Sequence, residues 1–323
     1  MSVTLQTPPI FVSRSLQGIL CVIIGMALFV AQDVAMKVLI TQYPLWMLMT
    51  ARGVVGLAVL VPLIVLLGGP HRLLTPLWPL HLTRALLITL AFSVFYAVFP
   101  FMGLAEVSTI FFAAPLIIAV MAWGILGEQI GPHRSIALLI GFAGVLVALN
   151  PGGAAFQPLS LLPLLCAAGY AGSQILARVI GDRDSPLTVG VYTVGAMVVT
   201  VPLVGALVSA VLPETAAIHH LRWEWYVPRG QATLHLGGLG VIGLVGLIFL
   251  SRAYQIASAG VVAPFDYAYL PMATAIAYLL WGEVPGPATQ LGMAMIVASG
   301  VYLGYREYRA SGTVAAQISP HNT

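Results

Sequence analysis

Ten long apolar runs, separated by short polar or Gly/Pro-rich segments, dominate this chain. A run of about 20 apolar residues is long enough to cross the hydrocarbon core of a bilayer as a helix. The alternation of period two that is typical of membrane-barrel strands does not occur in these runs. The sequence therefore predicts an all-α integral membrane protein with ten transmembrane helices. The predicted spans are 16–38, 44–67, 82–102, 107–126, 135–149, 159–180, 187–212, 234–256, 261–281 and 288–305.

The composition excludes the main classes of soluble protein. Of the 323 residues, 60% are apolar and only 7% are charged, whereas an ordinary soluble domain is about 25% charged. The net charge of +3 is small and the chain contains no basic run, so nothing favours nucleic-acid binding. The two cysteines lie inside apolar runs without the spacing of a metal site, and we interpret them as packing residues.

The distribution of Lys and Arg predicts the orientation of the chain. With the N-terminus in the cytoplasm, nine basic residues fall at or near the inner face and three outside, so both termini are expected to be cytoplasmic. The first run contains Asp33 and Lys37 and is too long for a typical signal peptide, so we expect it to be retained. The inner group is Arg14, Arg72, Arg84, Arg134, Arg178, Arg183, Arg252, Arg306 and Arg309, and the outer group is Lys37, Arg222 and Arg229.

An internal repeat divides the chain into two halves of five spans. In each half a proline is followed by Gly-Glu, then by Gly-Pro, and then by a glycine late in the next span. Because five is odd, the second half must be inserted upside down relative to the first. We expect segment 1–15 to be cytoplasmic, repeats at 16–149 and 159–305, and a disordered tail at 310–323. The repeated positions are Pro115, Gly127-Glu128, Gly131-Pro132 and Gly144 in the first half and Pro271, Gly282-Glu283, Gly286-Pro287 and Gly300 in the second.

This pattern resembles the EamA-type members of the drug/metabolite transporter superfamily over residues 16–306. The stretch from Phe95-Tyr96-Ala97 to Gly144-Val145 is similar to the first EamA repeat, and Ala263-Pro264-Phe265-Asp266-Tyr267 followed by Gly282-Glu283 is similar to the second. The elements Asp33…Lys37, Tyr43-Pro44 and Arg52-Gly53 resemble a subgroup that includes riboflavin and S-adenosylmethionine importers. Other members export drugs and amino acids. The chain departs from the pattern at Ile136, which replaces the early glycine seen at Gly292.

Charged residues inside the predicted spans are candidates for function, since a charge at membrane depth is costly. Asp33 and Arg52 lie at similar depth in the first two spans, where Arg52 can bind a carboxylate or phosphate and Asp33 a cation or a proton. A structural pair of Asp33 with Arg52 or with Lys37 is the alternative. Asp266 and Arg252 face each other across a short turn, either as a structural ion pair or as a gate.

Tyrosines and helix breakers complete the predicted site. Buried hydroxyl groups should face the bundle rather than lipid, so we expect Tyr96, Tyr170 and Tyr267 to line a cavity for a flat or amphipathic solute. Glu128 and Glu283 end symmetric helices, and Pro115 and Pro271 should kink theirs. We therefore assign Lys37, Glu128, Arg252, Glu283, Pro115 and Pro271 to gating or structure, and Asp33, Arg52, Tyr96, Tyr170, Asp266 and Tyr267 to substrate binding or coupling.

The sequence thus predicts a permease of a bacterial inner (plasma) membrane, a secondary transporter that moves a small aromatic, zwitterionic or cationic metabolite by alternating access. Coupling to protons and exchange both remain open, as does export of a drug or amino acid. The chain lacks the G-x-x-x-x-G-K-[ST] motif and the metal-site and hydrolase motifs, so we expect no enzyme, metal or cofactor. A membrane enzyme or a non-transporting scaffold is a distant alternative. The expected partners are a small-molecule substrate and the lipid bilayer, with a homodimer left open and no nucleic acid.

Overall fold

A computed structural model of the chain describes residues 10–69, 71–128, 131–151, 158–213, 215–257 and 259–318. This part of the chain is all-helical, with 83% helix and no strand. Residues 1–9 of the predicted N-terminal segment and 319–323 of the predicted tail lie outside it. The helices are α1 (Ile10–Leu39), α2 (Leu45–Leu67), α3 (Trp78–Ala97), α4 (Leu104–Phe111), α5 (Ala114–Leu126), α6 (Pro132–Leu149), α7 (Leu161–Ile180), α8 (Pro186–Val211), α9 (Gln231–Ile256), α10 (Ala259–Val262), α11 (Tyr269–Trp281) and α12 (Pro287–Ile318).

Within the described ranges, seven helical segments are long and apolar enough to cross a membrane by length and composition. They cover α1 to α3, the pair α4 and α5, α7, α8 and α9. Large apolar side chains such as Leu66, Leu139 and Leu279 are exposed on the outside of the bundle, where lipid rather than water can cover them. The chain is therefore a multi-pass membrane protein.

Two predicted spans are not continuous helices, and this corrects the sequence-based assignment. The fourth span is broken at Phe112 and Ala113, between α4 and α5. The ninth consists of α10, a 3₁₀ segment (Ala263–Ala268) and α11. Pro115 and Pro271 each lie in the first turn of the helix after the break, where a residue without an N–H group leaves no helical hydrogen bond unmade.

The third span also differs from the prediction. It was expected at 82–102, but α3 begins at Trp78 and ends at Ala97, and a turn containing Pro100 leads to α4. The earlier start places Arg84 about two helical turns inside α3 rather than at its end.

Helix packing relies on close backbone approach. The most extensive contacts pair α1 with α9, α3 with α7, α2 with α8 and α6 with α12. Between α6 and α12, the carbonyl oxygen of Gly292 lies 2.9 Å from the position that a Cβ atom would take on Gly144. A larger residue at either position would force these helices apart. Such small-residue contacts stabilise helix association in lipid, where no hydrophobic effect drives it.

The connecting segments gather at two ends of the bundle. At one end, Trp46 Nε1 donates a 2.7 Å hydrogen bond to the carbonyl oxygen of Leu221. At the other end, the backbone N–H of Arg72 donates a 3.0 Å bond to Thr188 Oγ1. We call these the Lys37 end and the Arg178 end, after the basic residues near the C-termini of α1 and α7.

Candidate functional site

Asp33 is the centre of a buried polar cluster where α1, α3 and α11 meet. Its Oδ1 accepts a 2.9 Å hydrogen bond from the Tyr96 hydroxyl, and its Oδ2 accepts a 2.5 Å bond from the Tyr269 hydroxyl. Gln32 Nε2 donates to the Tyr96 oxygen at 3.1 Å. We call Gln32, Asp33, Arg52, Tyr96 and Tyr269 the Asp33 cluster. It joins α1 and α3 of the first predicted half to α11 of the second.

Arg52 belongs to this cluster but has no carboxylate partner among the described residues. Its guanidinium carbon lies 5.4 Å from the centroid of the Tyr96 ring, and its buried Nη1 has no hydrogen-bond partner. The buried Oε1 of Gln32 also has none. Neither of the alternative ion pairs of Asp33, with Arg52 or with Lys37, is formed within this described region. Arg52 therefore retains the capacity to bind a polar or anionic group.

A ladder of aromatic rings leads from Tyr96 to α7. The ring centroids of Tyr96 and Phe92 are 6.0 Å apart, and those of Phe92 and Tyr170 are 6.1 Å apart. Phe111, the last residue of α4, lies 5.7 Å from Phe92 and 5.5 Å from Tyr170. We call Tyr96, Phe92, Phe111 and Tyr170 the aromatic ladder. Its ring faces and edges can pack against a flat solute.

Arg84 lies at the far end of the ladder. Its Nη1 donates a 2.8 Å hydrogen bond to Thr193 Oγ1, while its buried Nε has no partner. Tyr170 interacts electrostatically with Arg84, and the Tyr170 hydroxyl accepts a 2.8 Å bond from Gln174 Nε2. We call Arg84, Tyr170, Gln174 and Thr193 the Arg84 cluster. As with Arg52, no carboxylate of the described ranges pairs with this guanidinium.

Asp266 and Tyr267 lie in the break between α10 and α11. Asp266 Oδ2 accepts a 2.6 Å hydrogen bond from the Tyr254 hydroxyl, and its buried Oδ1 has no partner. Arg252 is exposed and forms no ion pair with Asp266, so the expected structural pair of these two described residues is not found. The Tyr267 ring packs against Phe112, with centroids 5.5 Å apart, in the break between α4 and α5.

Lys37 and Glu283 form an ion pair at the Lys37 end. Lys37 Nζ lies 2.5 Å from Glu283 Oε1, donates to the carbonyl oxygen of Met102 at 3.2 Å and lies 4.9 Å from the centroid of the Trp281 ring. Glu283 Oε2 accepts a 3.1 Å hydrogen bond from the backbone N–H of Leu104, at the start of α4. The pair therefore ties together the ends of α1 and α11 and the start of α4.

An ion pair of the same design lies at the Arg178 end. Arg178 Nη1 donates a 2.7 Å hydrogen bond to Glu128 Oε1 and joins the ends of α7 and α5. Their side chains are 46% and 38% exposed, against 12% and 28% for Lys37 and Glu283. The second pair is therefore the more strongly screened by solvent.

Sequence reasoning missed a buried polar group at the Arg178 end. Asp184 Oδ2 accepts a 2.7 Å hydrogen bond from Thr75 Oγ1 and lies 2.9 Å from His81 Nε2, whose ring stacks on Tyr192. Burial acts to raise the pKa of Asp184, but the contacts with Thr75, His81 and the nearby Arg72 outweigh it, so the pKa lies below the ordinary value. This group ties the segment between α2 and α3 to the one between α7 and α8.

Of the predicted site residues, Asp33, Arg52 and Tyr96 come together in one cluster, and Tyr170 connects to it through the ladder. Two residues of these clusters, Tyr269 and Arg84, are not among the site residues that the sequence predicts. Tyr269 lies two residues after the predicted Tyr267, and no sequence signal separates it from the other tyrosines of the apolar runs. Arg84 was assigned to the inner face because the start of α3 was predicted four residues too late, at position 82 rather than Trp78.

Comparison with known proteins identifies the family. The profile of the EamA-like transporter family matches residues 16–150. The riboflavin transporter of Rhizobium johnstonii is 30% identical over 71% of this chain and 71% of its own length. That of Vibrio cholerae is 29% identical over 80% and 82%. The S-adenosylmethionine uptake transporter of Rickettsia prowazekii is 25% identical over 91% and 95%.

A solved crystal structure has the same fold. It matches with a TM-score of 0.60 at 19% identity, over 93% of this chain and 99% of that chain. At that identity the match carries information about the fold alone. The family profile and the relatives agree on the type of protein: the chain belongs to the EamA-like transporter family of the drug/metabolite transporter superfamily and is a membrane transporter of small molecules.

Proposed function

We propose that this protein is a secondary transporter that moves a small organic metabolite by alternating access between two inverted halves, residues 16–149 and 159–305. The observation that most directly supports this proposal is the polar and aromatic site between the broken helices. The α4–α5 break contributes Phe112, the α10–α11 break contributes Tyr267, and Tyr269 of α11 accepts a 3.4 Å hydrogen bond from Ser108 of α4. Secondary transporters bind substrate where discontinuous helices of two repeats meet.

The helix contacts support the inverted repeat. We count α4–α5 and α10–α11 as one span each, which gives ten proposed spans in the described part of the chain. Equivalent spans of the two proposed halves are then five positions apart. The contact of α1 with α9 then corresponds to that of α7 with α3, and α2 with α9 corresponds to α8 with α3. The contact of α5 with α7 corresponds to that of α11 with α1, while α2 with α8, α4 with α11 and α6 with α12 correspond to themselves. Such a pattern is expected of a pseudo-twofold axis.

The two ion pairs follow the same correspondence. Lys37 ends the first span and Arg178 the sixth, while Glu128 ends the fourth and Glu283 the ninth. The pair Lys37–Glu283 therefore maps onto Arg178–Glu128 at the opposite end of the bundle. We propose that the pairs are latches that open one at a time, and that both are closed in this structure. Pro115 and Pro271, in the first turns of α5 and α11, are the proposed bend points of the broken helices.

We propose that the substrate is a flat or amphipathic metabolite. The aromatic ladder suits a planar ring system, Arg52 suits an anionic or polar group, and Asp33 and Asp266 suit a cationic group or a proton for coupling. The relatives named as riboflavin and S-adenosylmethionine transporters carry solutes of this description. Riboflavin and S-adenosylmethionine are therefore the first compounds to test.

We also propose that the protein lies in the bacterial inner membrane with both termini in the cytoplasm. Because Arg84 belongs to the interior, eight basic residues remain at the inner face against three outside, which is still a strong bias. The Lys37 end is then the outer end. A test is labelling by an impermeant thiol reagent: Trp225→Cys, in a background without Cys21 and Cys166, should react in intact cells, and Arg306→Cys only after lysis. Labelling of Arg306→Cys in intact cells would contradict this orientation.

Transport is tested on the purified chain in proteoliposomes. Uptake and counterflow of labelled riboflavin and S-adenosylmethionine are measured in both directions, with and without a pH gradient. We expect saturable flux, and mass spectrometry should recover the solute chemically unchanged, which separates a transporter from a membrane enzyme. Flux that is no faster than in protein-free vesicles for every solute and gradient, with the protein still folded, would contradict the proposal.

A further inference from the structure

Two arginines lie within the helical bundle without a carboxylate partner among the described residues. Arg52 has a buried Nη1 and Arg84 a buried Nε that make no hydrogen bond. Each lies about two helical turns after the first residue of its helix, Leu45 for α2 and Trp78 for α3. An unpaired cation at membrane depth is costly to retain, and such residues characteristically mark the path of a substrate or an ion.

The two arginines lie at helix interfaces that correspond under the inverted repeat. Arg52 of α2 lies beside α9, since a Cβ atom on Gly243 would be 4.0 Å from Arg52 Nη2. Arg84 of α3 donates to Thr193 of α8. The contacts of α2 with α9 and of α8 with α3 are equivalent under the inverted repeat. The guanidinium groups therefore lie at corresponding interfaces toward opposite ends of the bundle, although the helices that carry them are not each other's counterparts. The aromatic ladder runs between the two guanidinium groups, because that of Arg52 lies over the Tyr96 ring and Tyr170 is within electrostatic range of Arg84.

No carboxylate of the described residues forms an ion pair with either guanidinium group, although Asp33 lies close enough to Arg52 to attract it electrostatically. Asp33 accepts hydrogen bonds from two tyrosine hydroxyls, and Asp266 accepts one from Tyr254. Both guanidinium groups therefore keep donors that match the planar geometry of a carboxylate or phosphate.

We propose that Arg52 and Arg84 are two anion-binding positions at the ends of the aromatic ladder, and that the transported solute carries a carboxylate or phosphate that they bind in turn. This inference rests on the proposed transport function and names the substrate class of the same site. As the solute moves, its ring system stays against the ladder while its anionic group passes from one guanidinium to the other. The proposal is the same for import and for export.

The test uses pairs of compounds that differ in one anionic group. The pairs are S-adenosylmethionine and its decarboxylated form, flavin mononucleotide and riboflavin, and tryptophan and tryptamine. Binding is measured as the rise in melting temperature of the full chain in phosphatidylcholine vesicles, and transport as flux into the same vesicles. We expect the anionic member of at least one pair to act at about tenfold lower concentration than its partner, in line with one charge-assisted contact.

Variants connect this preference to the arginines. Arg84→Gln and Arg52→Gln should each reduce the preference for the anionic compound below about threefold. Arg84→Lys should keep part of this preference, because an ammonium group preserves the charge but not the fork geometry of a guanidinium. Thr193→Val removes the anchor of Arg84 and should weaken the preference without abolishing it. Arg306→Gln, on the exposed surface of α12, is the matched control and should bind like the wild type.

The outcomes separate the two proposals. Saturable flux of the uncharged members with no preference for an anionic member overturns this inference and leaves the transport function intact. A preference that survives Arg84→Gln overturns the assignment of Arg84. Absence of binding and flux for every compound, with a folded protein, counts against both proposals. The measurements are repeated in vesicles that contain phosphatidylglycerol, to test whether the bound anion is a lipid headgroup. If Arg84→Gln alters only the response to this anionic lipid, the ligand of Arg84 is a headgroup phosphate and the inference fails.

Discussion

Lys37 Nζ lies 2.5 Å from Glu283 Oε1, although 246 positions separate these residues in the sequence. The contact joins the ends of α1 and α11, and Arg178–Glu128 joins the ends of α7 and α5 at the other end of the bundle. The first pair also holds the start of α4 through the Leu104 N–H group. The two pairs thus have the same design but different burial, which leads to a first prediction.

Loss of the Lys37–Glu283 pair should destabilise the protein more than loss of Arg178–Glu128. For Glu283→Gln we expect a loss of about 1–2 kcal/mol, because the partly buried ammonium loses its charged partner. For Glu128→Gln we expect about 0–1 kcal/mol, since both groups are largely exposed. Double-mutant cycles of unfolding in detergent, with Lys37→Met and Arg178→Met as partner changes, measure both coupling energies. Equal coupling energies would contradict this ranking.

Transport should depend on the Asp33 cluster. Asp33→Asn and Arg52→Ala should each reduce flux in proteoliposomes by about tenfold or more, since each removes a charge at the site. Tyr269→Phe removes only one hydroxyl donor to Asp33 and should have a smaller effect. The control is the exposed Tyr278→Phe on the same helix. Wild-type rates in a protein carrying both Asp33→Asn and Arg52→Ala would exclude the cluster from the transport path.

Gly300 should tolerate no side chain, because Tyr267 packs directly against it. A Cβ atom at this position would overlap the Tyr267 ring. We expect Gly300→Ala to cost about 1–3 kcal/mol by overpacking and to displace Tyr267, with loss of transport. Gly124→Ala is the matched control, because no atom lies within 4 Å of its Cβ position and alanine is the better helix former. The melting temperature and the transport flux of both variants are measured. Equal values for Gly300→Ala and Gly124→Ala would contradict the close packing of Tyr267 on Gly300.

Asp184 should make the folding stability of the protein depend on pH in the acidic range. Its pKa is lower in the folded chain than the unfolded value of about 4, so the stabilisation that it provides is complete above that value and is lost as the pH falls through the folded pKa. Asp184→Asn should therefore lower the melting temperature at pH 7 and flatten its fall between about pH 5 and pH 2. An unchanged profile would mean that the contacts with Thr75 and His81 contribute no linked stability.

The sequence determined the class of the protein, most of the helices and the positions of its recurring sequence elements. These properties follow from local composition, because about 20 consecutive apolar residues decide whether a segment partitions into a bilayer. The repeated proline, Gly-Glu and Gly-Pro elements are likewise visible within each half. The family resemblance rests on the same local elements, and comparison with known proteins confirmed it.

The partners of the charged residues were decided only by the tertiary structure. Hydropathy locates Asp33, Lys37 and Arg52 along their helices but does not give the rotation of each helix or the neighbour that it meets. Helix packing contacts, of which the close approach of Gly144 and Gly292 is one, set those rotations and distances. They bring Lys37 to Glu283, give Asp33 two tyrosine hydroxyls and turn Arg84 toward Thr193. A side-chain pair that spans hundreds of residues depends on the packing of the whole bundle, and no local pattern in the sequence records that packing.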